Sequence, residues 1–281
     1  MNAVRAAGSL HGANGVAIFT QSWLPEAAEP SAAVILVHGL GEHSDRYGWV
    51  AGRLVDAGYA VYACDHRGHG RSQGARALVD LDAAVRDLDR LVHEACEARP
   101  DLPVGMLGHS LGGLIAIRYA LAHQQRLRAL VLSGPLAALE APPAALGLAR
   151  AIARVAPRLG VTSLDAGLVS RDPAVVAAYR EDPLVHHGPI PAATVAQIAR
   201  AVAGLPDAVP AITLPTLIVY GTADGLCPPA GAVMLAERIG SRDLTARAYE
   251  DLYHEVLNEP EREGVMRDVL RWLGERLTGG S

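Results

Sequence analysis

Short runs of uninterrupted apolar residues recur along this chain, most of them beside a segment of helical periodicity. This alternation limits the fold more than any other feature. "AAVILV" (32–37), "YAVYAC" (59–64), "VGML" (104–107), "LRALVLSG" (127–134), "TLIVYG" (216–221) and "LTARAYE" (244–250) read as strands. Trp49 to Ala57 is amphipathic. The segment 80–98 carries Leu81, Val85, Leu88, Val92 and Ala95 at helical spacing, and 111–123 is helix-like. Strands that alternate with helices need crossover connections, so the expected class is α/β: a mostly parallel central sheet flanked by helices. Asn14-Gly15 is a hairpin turn signal, and "VAIFTQSW" after it reads as a further strand.

The alternation breaks between about 135 and 210. That stretch is rich in proline and shows no convincing strand, while 144–159 and 192–204 carry apolar residues at helical spacing. It reads as a helical cap inserted into a single domain spanning 1–281. A net charge of −5 argues against nucleic-acid binding. Cys64, Cys96 and Cys227 lie far apart with no CxxC pair, which fits neither a zinc cage nor a disulfide scaffold and points to a reducing cytoplasm. The N-terminus lacks the apolar core of a secretory signal, and no apolar run reaches membrane-spanning length.

"GMLGHSLGG" (105–113) crowds glycine around Ser110, between an apolar strand and a helix. A chain that turns this sharply strains the residue at the corner, and bulky neighbours would clash. Gly108 and Gly112 supply the room, as in the G-x-S-x-G elbow that exposes a serine at the carboxyl edge of a sheet. A serine hydroxyl needs a base held by an acid to act as a nucleophile. In this architecture the partners follow in the order serine, acid, histidine. Asp224 in "TLIVYGTADGLCP" and His254 in "YEDLYHEVLNE" each lie just past a predicted strand. Asp251 is the rival acid, and Asp224 also suits a simple Asx turn. The developing oxyanion needs fixed donors; the N–H groups of Leu111 and of Leu40, in "LVHGLGEH", are the candidates.

"HGLGEHSDRY", "DHRGHGRS", "GHSLGG", "GTADGLCP" and "YHEVLNEP" together resemble the monoacylglycerol lipases of the α/β-hydrolase fold, near the lysophospholipases and serine-aminopeptidase-like hydrolases. The resemblance covers nearly the whole chain, including "SRDPAVVAAYREDPL" (170–184). It implies a triad of Ser110, Asp224 and His254, oxyanion donors at Leu40 and Leu111, and a polar pocket for the glycerol head at Glu42, Arg46, His109 and Tyr179. A histidine that some members carry three residues after the catalytic one is Leu257 here. The implied reaction is hydrolysis of carboxylic esters, above all monoacylglycerols, without metal or organic cofactor.

Two other readings stand beside it: a lysophospholipase or general carboxylesterase, and a non-catalytic ligand-binding protein on the same scaffold. Asp65, His66 and His69 in "DHRGHG" could suggest a metal, but no second ligand cluster is evident, and a structural turn is expected. Cys227 is expected to be a small apolar residue rather than a reactive thiol. In "LGLARAIARVAPRLG" (146–160), Arg150, Arg154 and Arg158 lie on one side and Leu148, Ile152, Val155 and Leu159 away from them. Such a helix suits either an anionic lipid surface or an ordinary water-facing position on the cap.

Overall fold

In the computed structural model, residues 3–279 are described. Their strands are β1 (Ala3–His11), β2 (Ala17–Pro25), β3 (Ala32–Val37), β4 (Tyr59–Cys64), β5 (Val104–His109), β6 (Ala129–Ser133), β7 (Gly160–Thr162), β8 (Ile190–Pro191), β9 (Thr216–Gly221) and β10 (Leu244–Tyr249). The helices are α1 (Gly48–Asp56), α2 (Leu81–Ala98), α3 (Leu111–His123), α4 (Pro143–Val155), α5 (Pro173–Glu181), α6 (Ala192–Ala208), α7 (Pro229–Arg238) and α8 (Arg262–Leu277). Eight strands form one sheet in the order β1-β2-β4-β3-β5-β6-β9-β10. The pairs β1–β2 and β2–β4 are antiparallel, and every other pair is parallel.

Period-two alternation splits each central strand between two cores. In β3, Ala33, Ile35 and Val37 face the layer containing α2, α3 and α7, while Ala32, Val34 and Leu36 face α1 and α8. Both faces are covered, which is why β3 reads as an unbroken apolar run. The N-terminal hairpin turns through Asn14 and Gly15, at φ 59° and 74°. Its first strand, β1, is exposed along nearly its whole length, so it lacks the apolar signal that marks the others.

Between β6 and β9 the chain adds no strand to the main sheet. It forms α4, α5 and α6 and, against expectation, an antiparallel ribbon of β7 and β8. These strands are two and three residues long, too short for any periodicity to register. Helix α4 packs on α6 and stops at Val155, short of 159, because the residue before Pro157 is pushed out of the helical region. Several bonds tie this segment to the core. His43 Nε2 pairs with Asp182 Oδ2 at 2.8 Å, and the His186 N–H donates to Gly41 O at 2.7 Å.

The loop 65–72 is a structural junction. Buried Asp65 accepts from the N–H groups of Ser44 and Arg71, each at 2.8 Å. His66 and His69 bond backbone carbonyls of His38 and Arg67 at 2.9 and 3.0 Å. Among the described residues no cluster of histidine, cysteine and acid is arranged to hold a metal.

Burial pushes His38 down to about 3 and His69 to about 4. His109, buried and beside His254, also lies at about 4. Unfolded histidines take up a proton near pH 6.5, so between pH 6.5 and 4 the unfolded state binds more protons and stability falls with pH. Each ring costs on the order of 2 kcal/mol by pH 5. A thermal melt at pH 5 is expected to have its midpoint at least about 10 °C below that at pH 7. Equal midpoints would contradict three buried neutral rings.

Candidate active site

Parallel strands end at one edge of a sheet, so the loops that follow them converge there. Ser110 follows β5, Asp224 follows β9, His254 follows β10 and Leu40 follows β3. Ser110 has φ 55° and ψ −121°, a strained conformation for a residue with a side chain. The close turn depends on bare backbone on either side. A Cβ on Gly108 would lie 2.5 Å from Gly112 O, and one on Gly112 would lie 2.0 Å from Val37 O.

His254 Nδ1 and Asp224 Oδ2 are 2.8 Å apart, with both side chains almost fully buried. The other Asp224 oxygen accepts from the N–H groups of Leu226 and Cys227, at 2.9 and 2.8 Å. The carboxylate is therefore held on both oxygens and orients the ring. Asp251, the rival acid, is exposed, and the Nδ1 atom of His254 pairs with Asp224 instead. Gly134, just after β6, sits against this pair. A Cβ there would lie 2.9 Å from His254 O and 3.3 Å from His254 Nδ1.

Ser110 and His254 line the same cavity, of about 60 Å³. In this rotamer the Ser110 hydroxyl contacts Cys227 Sγ at 3.7 Å rather than the imidazole. Catalytic hydrogen bonds are often loose without substrate, and rotation about a single bond redirects the hydroxyl. Burial, reinforced by Asp224, pushes the Cys227 thiol well above its usual range, so it stays protonated. The amides of Leu40 and Leu111 donate to no acceptor among the described residues. Leu111 is the first residue of α3, where helix N–H groups lack intrahelical partners.

A polar wall closes one side of the cavity. Glu42 Oε1 accepts from Gly39 N at 2.5 Å and from Tyr47 Oη at 2.7 Å. Burial alone would raise the Glu42 pKa; Arg46 and smaller contributions from its other neighbours, the Tyr47 hydroxyl among them, together outweigh it and hold the carboxyl well below the usual range. Arg46 Nη1 bridges Glu42 Oε2 at 2.5 Å and Glu255 Oε1 at 2.7 Å, and Nη2 reaches Glu255 Oε2 at 2.8 Å. Its guanidinium also lies over the Tyr179 ring, 4.7 Å from the centroid. His109 packs against His254 with ring centroids 4.6 Å apart.

Of the residues expected to form a head-group pocket, Glu42, His109 and Tyr179 line the cavity; Arg46 lies behind it. Glu255 lines the cavity and was not anticipated; its only sequence signal is adjacency to His254. Leu40, Leu136, Leu164 and Leu226 also border a larger apolar cavity of about 580 Å³, walled further by α4 and α6.

The strand order, the strained serine between strand and helix, and the acid–histidine pair on neighbouring loops define a hydrolase of the α/β-hydrolase fold. The serine aminopeptidase S33 family profile matches residues 28–261. A monoacylglycerol lipase of Mycolicibacterium smegmatis is 43% identical over 284 residues, covering 99% of this chain and 100% of that protein. The human monoglyceride lipase is 35% identical over 271 residues, covering 94% and 89%. The crystal structure of Paleococcus ferrophilus monoacylglycerol lipase superposes with a TM-score of 0.81 at 33% identity, covering 97% of this chain and 98% of that one. The chain belongs to the serine aminopeptidase S33 family and is similar over its whole length to the monoacylglycerol lipases in these comparisons.

Proposed function

We propose that this chain hydrolyses monoacylglycerols to fatty acid and glycerol through an acyl-enzyme on Ser110. His254 takes the proton from Ser110 as its oxygen attacks the ester carbonyl. The N–H groups of Leu40 and Leu111 receive the oxyanion; each such donor typically contributes about 3–4 kcal/mol. His254 returns the proton to the glycerol oxygen as it leaves, then activates water to release the acid. Asp224 fixes the imidazole tautomer and stabilises its charged form.

The observation that carries this reading is the 2.8 Å Asp224–His254 bond, in a cavity that also holds Ser110 and adjoins an apolar chamber of about 580 Å³. The chamber has the size and lining expected for a lipid chain. The segment 135–210 acts as the cap that walls it. The reading is supported by full-length similarity to enzymes named monoacylglycerol lipases. A panel of monooleoylglycerol, nitrophenyl butyrate and lysophosphatidylcholine tests it. Monooleoylglycerol is expected to give the highest kcat/KM, and preference for the lysophospholipid would refute the substrate assignment.

A lipid substrate has to be collected from a surface. On and beside α4, Leu148, Val155 and Leu159 are 62%, 84% and 54% exposed, next to exposed Arg150, Arg154 and Arg158. We infer transient contact of this face with an anionic membrane, by a cytoplasmic protein; among the described residues no helix is long and apolar enough to cross a membrane. Val155→Asp is expected to weaken sedimentation with phosphatidylglycerol vesicles about tenfold or more. Unchanged binding would remove α4 from the contact.

A further inference from the structure

The polar wall holds two carboxylates and one guanidinium. Arg46 directs Nη1 and Nη2 at Glu42 and Glu255, and its face covers Tyr179. Asn258 Nδ2 donates to Glu255 Oε2 at 2.7 Å, which fixes the second carboxylate further. The Glu42 and Glu255 side chains are only 5% and 6% exposed, yet both border the cavity that contains Ser110. A second cation is missing from this wall: His109 is neutral near pH 7, because burial and the neighbouring His254 lower it to about 4. The wall therefore carries a formal excess of one negative charge, and the guanidinium edge that could grip an anion is already taken.

From this the geometry points to Glu255 as a specificity-determining residue: together with Glu42 it selects a neutral polyol leaving group and rejects a phosphorylated one. Carboxylate oxygens accept hydrogen bonds from hydroxyl groups, which a glycerol can offer. A phosphate offers mainly acceptors and charge of the same sign. Like charges brought together in a water-poor site cost several kcal/mol. Glu255 directly follows in the chain the histidine that serves the leaving oxygen, so its influence falls on the alcohol rather than on the acyl chain. This inference rests on the ester-hydrolase reading, but its test separates the two.

Monobutyroylglycerol and butyroylglycerol 3-phosphate share a short, soluble acyl group and differ only at the alcohol. The intact protein is expected to favour the neutral ester in kcat/KM by about a hundredfold or more. Glu255→Gln is expected to narrow that ratio by about tenfold or more, whatever it does to each rate separately. Wild-type ratios below about tenfold would overturn the inference without any variant. So would an unchanged ratio in Glu255→Gln protein that still takes a fluorophosphonate label, because a residue that merely props the loop lowers both rates together. Hydrolysis of nitrophenyl butyrate reports the Ser110 chemistry without a polyol. Its loss in the wild type would instead count against the enzymatic reading.

Discussion

Ser110→Ala protein is expected to fold normally and to lose about a millionfold in kcat for nitrophenyl butyrate, the scale seen when a serine nucleophile is removed. His254→Ala should lose about as much, and the double variant no more than either, because the two residues act as one unit. Asp224→Asn should cost about ten-thousandfold: the amide holds the wrong tautomer in place of a 2.8 Å carboxylate bond. Folding is not at issue, since Ser110 heads α3 without using its side chain as a cap. Burst kinetics and thermal midpoints for the four proteins check this. Retention of even about 1% of wild-type kcat by Ser110→Ala would place the nucleophile elsewhere.

The second large effect concerns stability. Gly112→Ala would set a Cβ 2.0 Å from Val37 O and 2.5 Å from His38 O, both backbone atoms. Val37 closes the ladder between β3 and β5, opposite Gly108, so it cannot step aside without breaking that pairing. The expected loss exceeds about 4 kcal/mol, which would leave most domains largely unfolded. Gly147→Ala in α4 is the control: a Cβ there meets nothing within 4 Å. It should stabilise that helix by up to about 1 kcal/mol. Urea titrations of both variants decide the point, and a Gly112→Ala midpoint near wild type would show that the elbow has slack.

How far the sequence could be read follows from what each segment is packed against. Strands β3, β4 and β9 match their apolar runs end to end because both faces are covered, so every side chain contributes to the signal. β1 escaped notice because it is an exposed edge strand, held by its hairpin partner rather than by burial. The ribbon of β7 and β8 escaped because its pairing spans about thirty residues of intervening chain and only a few residues take part. At the site, the elbow was visible because its steric demands fall on neighbouring residues. Asp251 ranks below Asp224 because it lies only three residues from His254 on the same loop, whereas Asp224 follows a different strand. Glu255 was invisible because Arg46, 209 positions away, makes it part of the wall. Gly134 was equally hidden: its neighbours are His254 and Asp224, which reach it only through the fold.

We propose that the hydroxyl of Ser110 is the atom acylated. Brief treatment with a fluorophosphonate probe, followed by peptide mass mapping, addresses it directly. One adduct is expected, on Ser110, formed by the folded protein and lost on heat denaturation or in His254→Ala. An adduct on any other residue, or labelling of Ser110 at the same rate without His254, would contradict it.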